Sequence, residues 1–342
     1  MKDEKYIEIA QKLGVAKSTV SRAARHCSGV DAETRRAVLQ HIGVSDESGA
    51  DGKKQCHIYT ILPDLPVYFW GRLYAGIEDA VVNDNVLQLR WRDKSIKLNV
   101  YNSLADSDIV LRYLEEAERL NPAIIIIAAH VTSEIREKLN RLKEKSIVFF
   151  VTEMESMPRT FYFGADPYGD GFRMGQLFCE NYSDRSPVVV SNREINTIRL
   201  RAEGFLDALR RADPDRFATV PVYEFPTDGI FFENRKLAPA RLASFLTKWI
   251  DKREKACLYF PYGSVALPLA LQKAKFGDRV VCLCHDSMLG EHCRPEDGIR
   301  ACINQDVYRH GQAAVEAAVK LIATGMCPDG KYTYIPSNMI LG

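Results

Sequence analysis

The chain has 342 residues, a net charge of +1, 46% hydrophobic residues and 27% charged ones. This is ordinary for a soluble globular protein of two or three compact units. The longest apolar run, Ala123 to Ala129, falls far short of the roughly 20 residues that a membrane-spanning helix needs. The opening MKDEKYIEIAQ has no apolar leader segment, so the expected location is cytoplasmic and the nine cysteines are expected as reduced thiols.

Residues 1–45 carry eight basic and five acidic side chains, a mild excess that permits phosphate contact. Ile9, Ala10, Leu13, Val15, Val20, Ala23 and Ala24 recur at helical spacing, broken at Gly14, where a left-handed turn costs glycine little. A second helix is predicted from about Lys17 to His26. A third is predicted to start after Asp31, with Ala37, Val38 and Ile42 inward. Three short helices with a tight first turn match a helix-turn-helix headpiece. The second helix would bury Val20 and the Ala23–Ala24 side and present Lys17, Ser18, Thr19, Ser21 and Arg22 outward, where they can read base edges or bind phosphates of double-stranded DNA. Periodicity alone leaves open a solvated face on a small helical bundle.

The words IEIAQKLGVAKSTVSRAARHCSGVDAETRRAVLQHI closely resemble the headpiece of the LacI/GalR (lactose-repressor) family. Leu13-Gly14-Val15-Ala16, Thr19-Val20-Ser21-Arg22 and Thr34-Arg35 fall in that family's register. The resemblance implies a transcription regulator, in most cases a repressor, that binds operator DNA as a homodimer. In that family a hinge follows that places a leucine in the minor groove. Here residues 43–55, GVSDESGADGKKQ, have neither Pro nor Leu but three Gly and the acidic Asp46, Glu47 and Asp51. That composition predicts a flexible linker over 46–55 and no wedge.

From residue 56 to 342 strand and helix patterns alternate. HIYTILPD, VLQLRW, PAIIIIAAH and SIVFFVTE read as strands separated by helices. TFYFGAD, SPVVVSN, TVPVYEF, ACLYFPY and RVVCLCHD form a second series. The fold class is α/β, with the small all-α headpiece followed by two doubly wound lobes. The family resemblance, looser here, implies periplasmic-binding-protein-like lobes that dimerise and take a small effector, commonly a sugar or sugar derivative, in the cleft. No nucleotide loop, nucleophile elbow or zinc-helix motif is present, so neither an enzymatic activity nor a cofactor is expected.

By resemblance Arg201, Asp286 and Gln305 are effector-binding positions, Arg201 from the Arg201-Ala-Glu-Gly204-Phe205 segment. A salt bridge for Arg201 and a turn cap for Asp286 are the competing roles. Tyr68 and Phe69 are expected in the first strand-to-helix loop, where an aromatic face can stack on a sugar ring. Tyr262-Gly263 stands where the family has Asn-Asp, offering an aromatic in place of a hydroxyl-gripping pair. Arg92, at the end of RWR, with Arg201 would form a two-guanidinium clamp for an anionic effector. Cys282, Cys284, His285, His292 and Cys293 fit no zinc spacing, so no metal is expected. A ligand-binding protein of the same fold with weakened DNA binding is the alternative.

Overall fold

The computed structural model describes residues 2–24, 54–63, 68–82, 94–103, 106–143, 146–152, 160–224, 238–250, 255–263, 266–286 and 298–342, with residues 30, 34, 37, 38, 41, 155 and 157. The chain divides into two compact units. Unit 1 comprises residues 1–151, 156–161 and 311–331, and unit 2 comprises 152–155, 162–310 and 332–342.

At the start of unit 1, α1 (Lys2–Leu13) and α2 (Lys17–Ala24) are joined by a tight turn. Gly14 makes the turn at φ +66° with open space where a Cβ would be. The Val15 N–H donates back to the Ala10 carbonyl at 3.0 Å. Ile9, Ala10, Val20, Ala23, Val30 and Val38 form one buried cluster, with Tyr6, Leu13 and Val15 packed against it. Of the predicted pattern, positions 9, 10, 20 and 23 are buried, Leu13 and Val15 are partly so, and the side chain of Ala24 lies outside the described ones. The third predicted helix falls largely outside the described residues.

The rest of unit 1 begins with β1 (Lys54–Leu62), which starts inside the stretch expected to be linker. Then come α3 (Tyr68–Val82), β2 (Lys94–Asn102), α4 (Ser107–Leu120), β3 (Ile124–Ile127), α5 (Ser133–Leu142), β4 (Ile147–Val151) and β5 (Thr160–Gly164). Unit 2 continues with α6 (Pro167–Asn181), β6 (Ser186–Ser191), α7 (Asn196–Ala212), β7 (Val222–Glu224), α8 (Ala238–Trp249), β8 (Ala256–Phe260), α9 (Ala266–Ala274), β9 (Val280–His285) and β10 (Ile299–Asn304). After α10 (Val307–Thr324) the chain ends in β11 (Tyr332–Tyr334) and β12 (Asn338–Leu341). One sheet has the order β11-β5-β4-β3-β1-β2 and the other β12-β10-β9-β8-β6-β7. β12 runs antiparallel to β10; β1–β2, β1–β3, β3–β4, β6–β8, β8–β9 and β9–β10 are parallel.

Alternation puts β6, β8, β9 and β10 of the second sheet into two apolar cores. Val188, Val190, Leu258, Phe260, Cys282 and Cys284 join Leu242 and Leu246 of α8 and Leu267 and Leu271 of α9. Val189, Cys257, Tyr259, Val281 and Leu283 join Met174 and Phe178 of α6 and Phe205 and Leu209 of α7. Covering both faces explains why these strands read as continuous apolar runs. The two expected one-face cysteines, Cys282 and Cys284, lie together in the first core, where a thiol packs as a small hydrophobe; His292 and Cys293 lie outside the described residues. The run VLQLRW, read as a strand, also lies outside them, and the strand that precedes α4 is β2, which the sequence pattern did not reveal.

Candidate ligand-binding site

Helices α6 and α7 approach closely because Gly171 faces the backbone of Arg201. A Cβ there would fall 2.0 Å from the Arg201 carbonyl oxygen. This contact, between GFRMG and RLRAEGF, fixes where the Arg201 side chain leaves its helix. Arg201 is 4% exposed, and its guanidinium points to the C-terminal ends of β8 and β9. Its Nη1 donates to the Pro261 carbonyl at 3.0 Å and lies 3.6 Å from Asp286 Oδ2.

Asp286 follows β9 at φ +50°, a left-handed conformation uncommon for a residue with a Cβ. Its own N–H donates to the Ile303 carbonyl at 2.9 Å. Gln305, just past β10, donates to the carboxylate twice: backbone N to Oδ1 at 3.0 Å and side-chain Nε2 to Oδ2 at 2.6 Å. Burial pushes the Asp286 carboxyl up, against the Arg201 guanidinium and the Gln305 donors, which favour the anion. Gly263 closes the site on one side, since a Cβ on it would meet the Asp286 carbonyl oxygen at 2.3 Å.

Further buried groups surround Arg201, none of them expected at an effector site from the sequence. Asp170, in the first turn of α6, is 3.2 Å from Arg173 Nη1. Burial raises its pKa, against a Ser337 hydrogen bond and the Arg201 and Arg173 charges. The fully buried His285 shares a 2.7 Å hydrogen bond between Nε2 and the Tyr259 hydroxyl. Burial, then Arg201 and Arg173, keep this imidazole neutral. His310 is 0% exposed, with its pKa pushed down to about 3 by burial and then by Arg201. Asp170 had a signal available: a carboxylate one turn into a helix whose N1 is Pro167 and whose N-cap is Asp166. The histidines had none, because their significance comes from complete burial.

The predicted effector residues therefore separate. Arg201, Asp286 and Gln305 come together in unit 2, Arg201 and Asp286 as partners of each other. Tyr262 is 3% exposed and its ring packs 4.2 Å from Phe260 in the apolar core, so it is not a free face for a ligand. Tyr68 and Phe69 belong to α3 itself and not to the loop before it. Phe69 is half-buried with its ring edge-on to Trp70 at 4.8 Å. Arg92 lies outside the described residues. Of the expected two-guanidinium clamp only Arg201 is described, and its charge already has a buried counter-charge in Asp286 at 3.6 Å.

On α2, Lys17, Ser18 and Arg22 are exposed, Thr19 and Ser21 half-buried, and Val20 and Ala23 buried.

Around Asp286, the Arg201 Nε–H and the Gln305 Oε1 are buried without a hydrogen-bond partner among the described residues. An unpaired donor and an unpaired acceptor on the two residues that contact one carboxylate suit a hydroxyl group, which can both donate and accept. A doubly wound α/β unit with such groups at the C-terminal ends of its strands, as in unit 2, is the usual setting for a small-molecule site. The Periplasmic binding protein domain family matches residues 58–326. The chain belongs to that family. No curated protein sequence matches it. Solved structures match its fold. The glucose-galactose binding protein GanP from Geobacillus stearothermophilus is 19% identical, with a TM-score of 0.66 over 84% of this chain and 98% of that one. The Caulobacter myo-inositol binding protein bound to myo-inositol is 16% identical, with a TM-score of 0.65 over 87% and 96%. The Lac repressor dimer bound to operator and the anti-inducer ONPF is 15% identical, with a TM-score of 0.61 over 97% and 96%. No helix among the described residues of this periplasmic-binding-protein-type chain is long and apolar enough to cross a membrane.

Proposed function

We propose that this protein is a DNA-binding transcription regulator, a repressor acting as a homodimer, whose operator affinity is set by a neutral polyhydroxylated effector of the sugar class. The observation that carries the reading is the extent of the likenesses. The match to the operator-bound Lac repressor takes in 97% of this chain against 84% for the sugar-binding GanP, and the residues before the binding domain hold the α1–Gly14–α2 unit. With Val20 and Ala23 buried, α2 turns Lys17, Ser18 and Arg22 to solvent, as a helix entering a major groove requires. The internally offset Arg201 supports a neutral effector over the anionic one expected from two free arginines. The protein acts in the cytoplasm, where its operator is.

The second reading, a ligand-binding protein of the same fold with weakened DNA binding, draws on the acidic, proline-free stretch 43–53 in place of a wedge-bearing hinge.

Selection of the full chain against a randomised duplex library tests the two. Enrichment of one sequence, with affinity falling steeply as salt rises and shifting on addition of a sugar, supports the regulator. Failure to enrich any sequence at low salt, with sugar binding intact, leaves the second reading. Calorimetry of neutral sugars beside their uronic acids tests the effector class: tighter binding of the acidic members overturns it.

A further inference from the structure

We propose that unit 2 holds a second small-molecule site, for a planar aromatic carboxylate, at the end of its sheet opposite to Arg201 and Asp286. A cavity of about 470 Å³ opens there, within the size range of small-molecule sites. It is built where the strands begin: Pro187 and Val188 on β6, Ala256 on β8, Ile250 after α8, Tyr223 on β7, and the loop Arg216–Pro221 that leads from α7 into β7. Val188, Phe217, Ile250 and Ala256 belong to the two apolar cores, so the floor of the cavity is the hydrophobic interior reached from outside.

The chemistry of the wall is asymmetric. Arg216 is its one charged side chain among the described residues. Its guanidinium lies 4.9 Å from the centroid of the Phe217 ring and donates through one nitrogen to the Ser183 carbonyl. The nearby Asp213 carboxylate accepts from the Arg216 backbone N–H, and no carboxylate among the described residues is paired with the guanidinium. A guanidinium stacked on an aromatic ring beside an apolar floor selects a ligand with a carboxylate at one end and a flat hydrocarbon body at the other. Ser186 and Thr219 line the same cavity, and a Thr219 hydroxyl can donate to the second carboxylate oxygen. Because the cavity lies at the strand N-termini, its occupant does not compete for the groups around Asp286. The second site is independent of the effector's identity.

The test is calorimetry of the full chain with benzoate, benzyl alcohol and acetate at fixed ionic strength. Benzoate is expected to bind one per chain, and benzyl alcohol and acetate each about tenfold more weakly, since one carries only the ring and the other only the charge. Arg216→Gln removes the charge at an exposed position and is expected to weaken benzoate about tenfold. Thr219→Trp, also exposed, fills the cavity from its rim over the apolar floor and is expected to abolish binding. Both variants are expected to melt at the wild-type temperature. Absence of benzoate binding at millimolar concentration, equal binding of benzyl alcohol, or wild-type affinity in Thr219→Trp overturns the proposal.

Discussion

A Cβ on Gly263 would come within 2.3 Å of the Asp286 carbonyl oxygen, so the loop after β8 is shaped by the residue after β9. The family resemblance pointed at Gly263 as a lost hydroxyl-gripping side chain. In the fold Gly263 has a different role. It admits the left-handed turn at Asp286, which aims the carboxylate at Arg201 and Gln305.

Gly263→Ala is therefore expected to displace Asp286 and to destabilise unit 2 by about 1–3 kcal/mol, the range for overpacking a close contact. Urea unfolding measures the loss, and calorimetry of whichever sugar binds measures the damage to the site. Wild-type stability would mean that the loop accommodates the methyl group freely.

Arg201 and Asp286 side chains are 5% and 9% exposed. Removing one partner leaves a buried charge without its counterion. Arg201→Met or Asp286→Leu alone is expected to cost about 3–5 kcal/mol, and the double variant less than the sum. A double-mutant cycle in denaturant reads the coupling. Additive losses would separate the two residues energetically.

The His310 pKa, pushed down from 6.5 to about 3, predicts a pH dependence. Between those values the unfolded chain binds a proton that the native chain does not. This residue's contribution is fully present above pH 6.5 and is lost as pH falls toward about 3, at a slope approaching about 1.4 kcal/mol per pH unit. The raised Asp170 and Asp286 carboxyls act in the opposite sense in the acid range, and His285 in the same sense. The informative quantity is thus the difference between wild type and His310→Leu. Stability measured from pH 7 to 5 is expected to fall less steeply in the variant. Parallel curves would show that His310 is protonated or solvated in the native state.

On α2, Arg22→Ala is expected to cost about 1–3 kcal/mol of operator affinity if the guanidinium contacts a base edge, with sugar binding unchanged. Lys17→Ala is expected to lower the salt slope by about one unit if the ammonium contacts phosphate. Anisotropy titrations across a salt series separate the two, and unchanged affinity in both variants would remove α2 from the DNA-binding role.

Much of this molecule was legible without coordinates. Apolar runs at β3, β8 and β9 marked strands covered on both faces, and the spacing of Ile9, Ala10, Val20 and Ala23 marked the inward face of α1 and α2. Each is a local record of which side of an element meets the core. β2 does alternate, Ile96, Leu98 and Val100 against Lys97 and Asn99, but the more apolar run VLQLRW just before it draws the strand assignment. A short alternating stretch at a sheet edge, paired on one side, has no continuous apolar run to mark it. The site was legible only as separate letters. Arg201, Asp286 and Gln305 could each be named, yet their pairing depends on α6 against α7 and β9 beside β10. His285 and His310 took their character from complete burial, which no local window contains. The sequence set which faces are apolar, because that is a property of neighbours along the chain. The tertiary structure decided which charges offset each other, because Coulomb interaction and desolvation depend on distances that only packing creates.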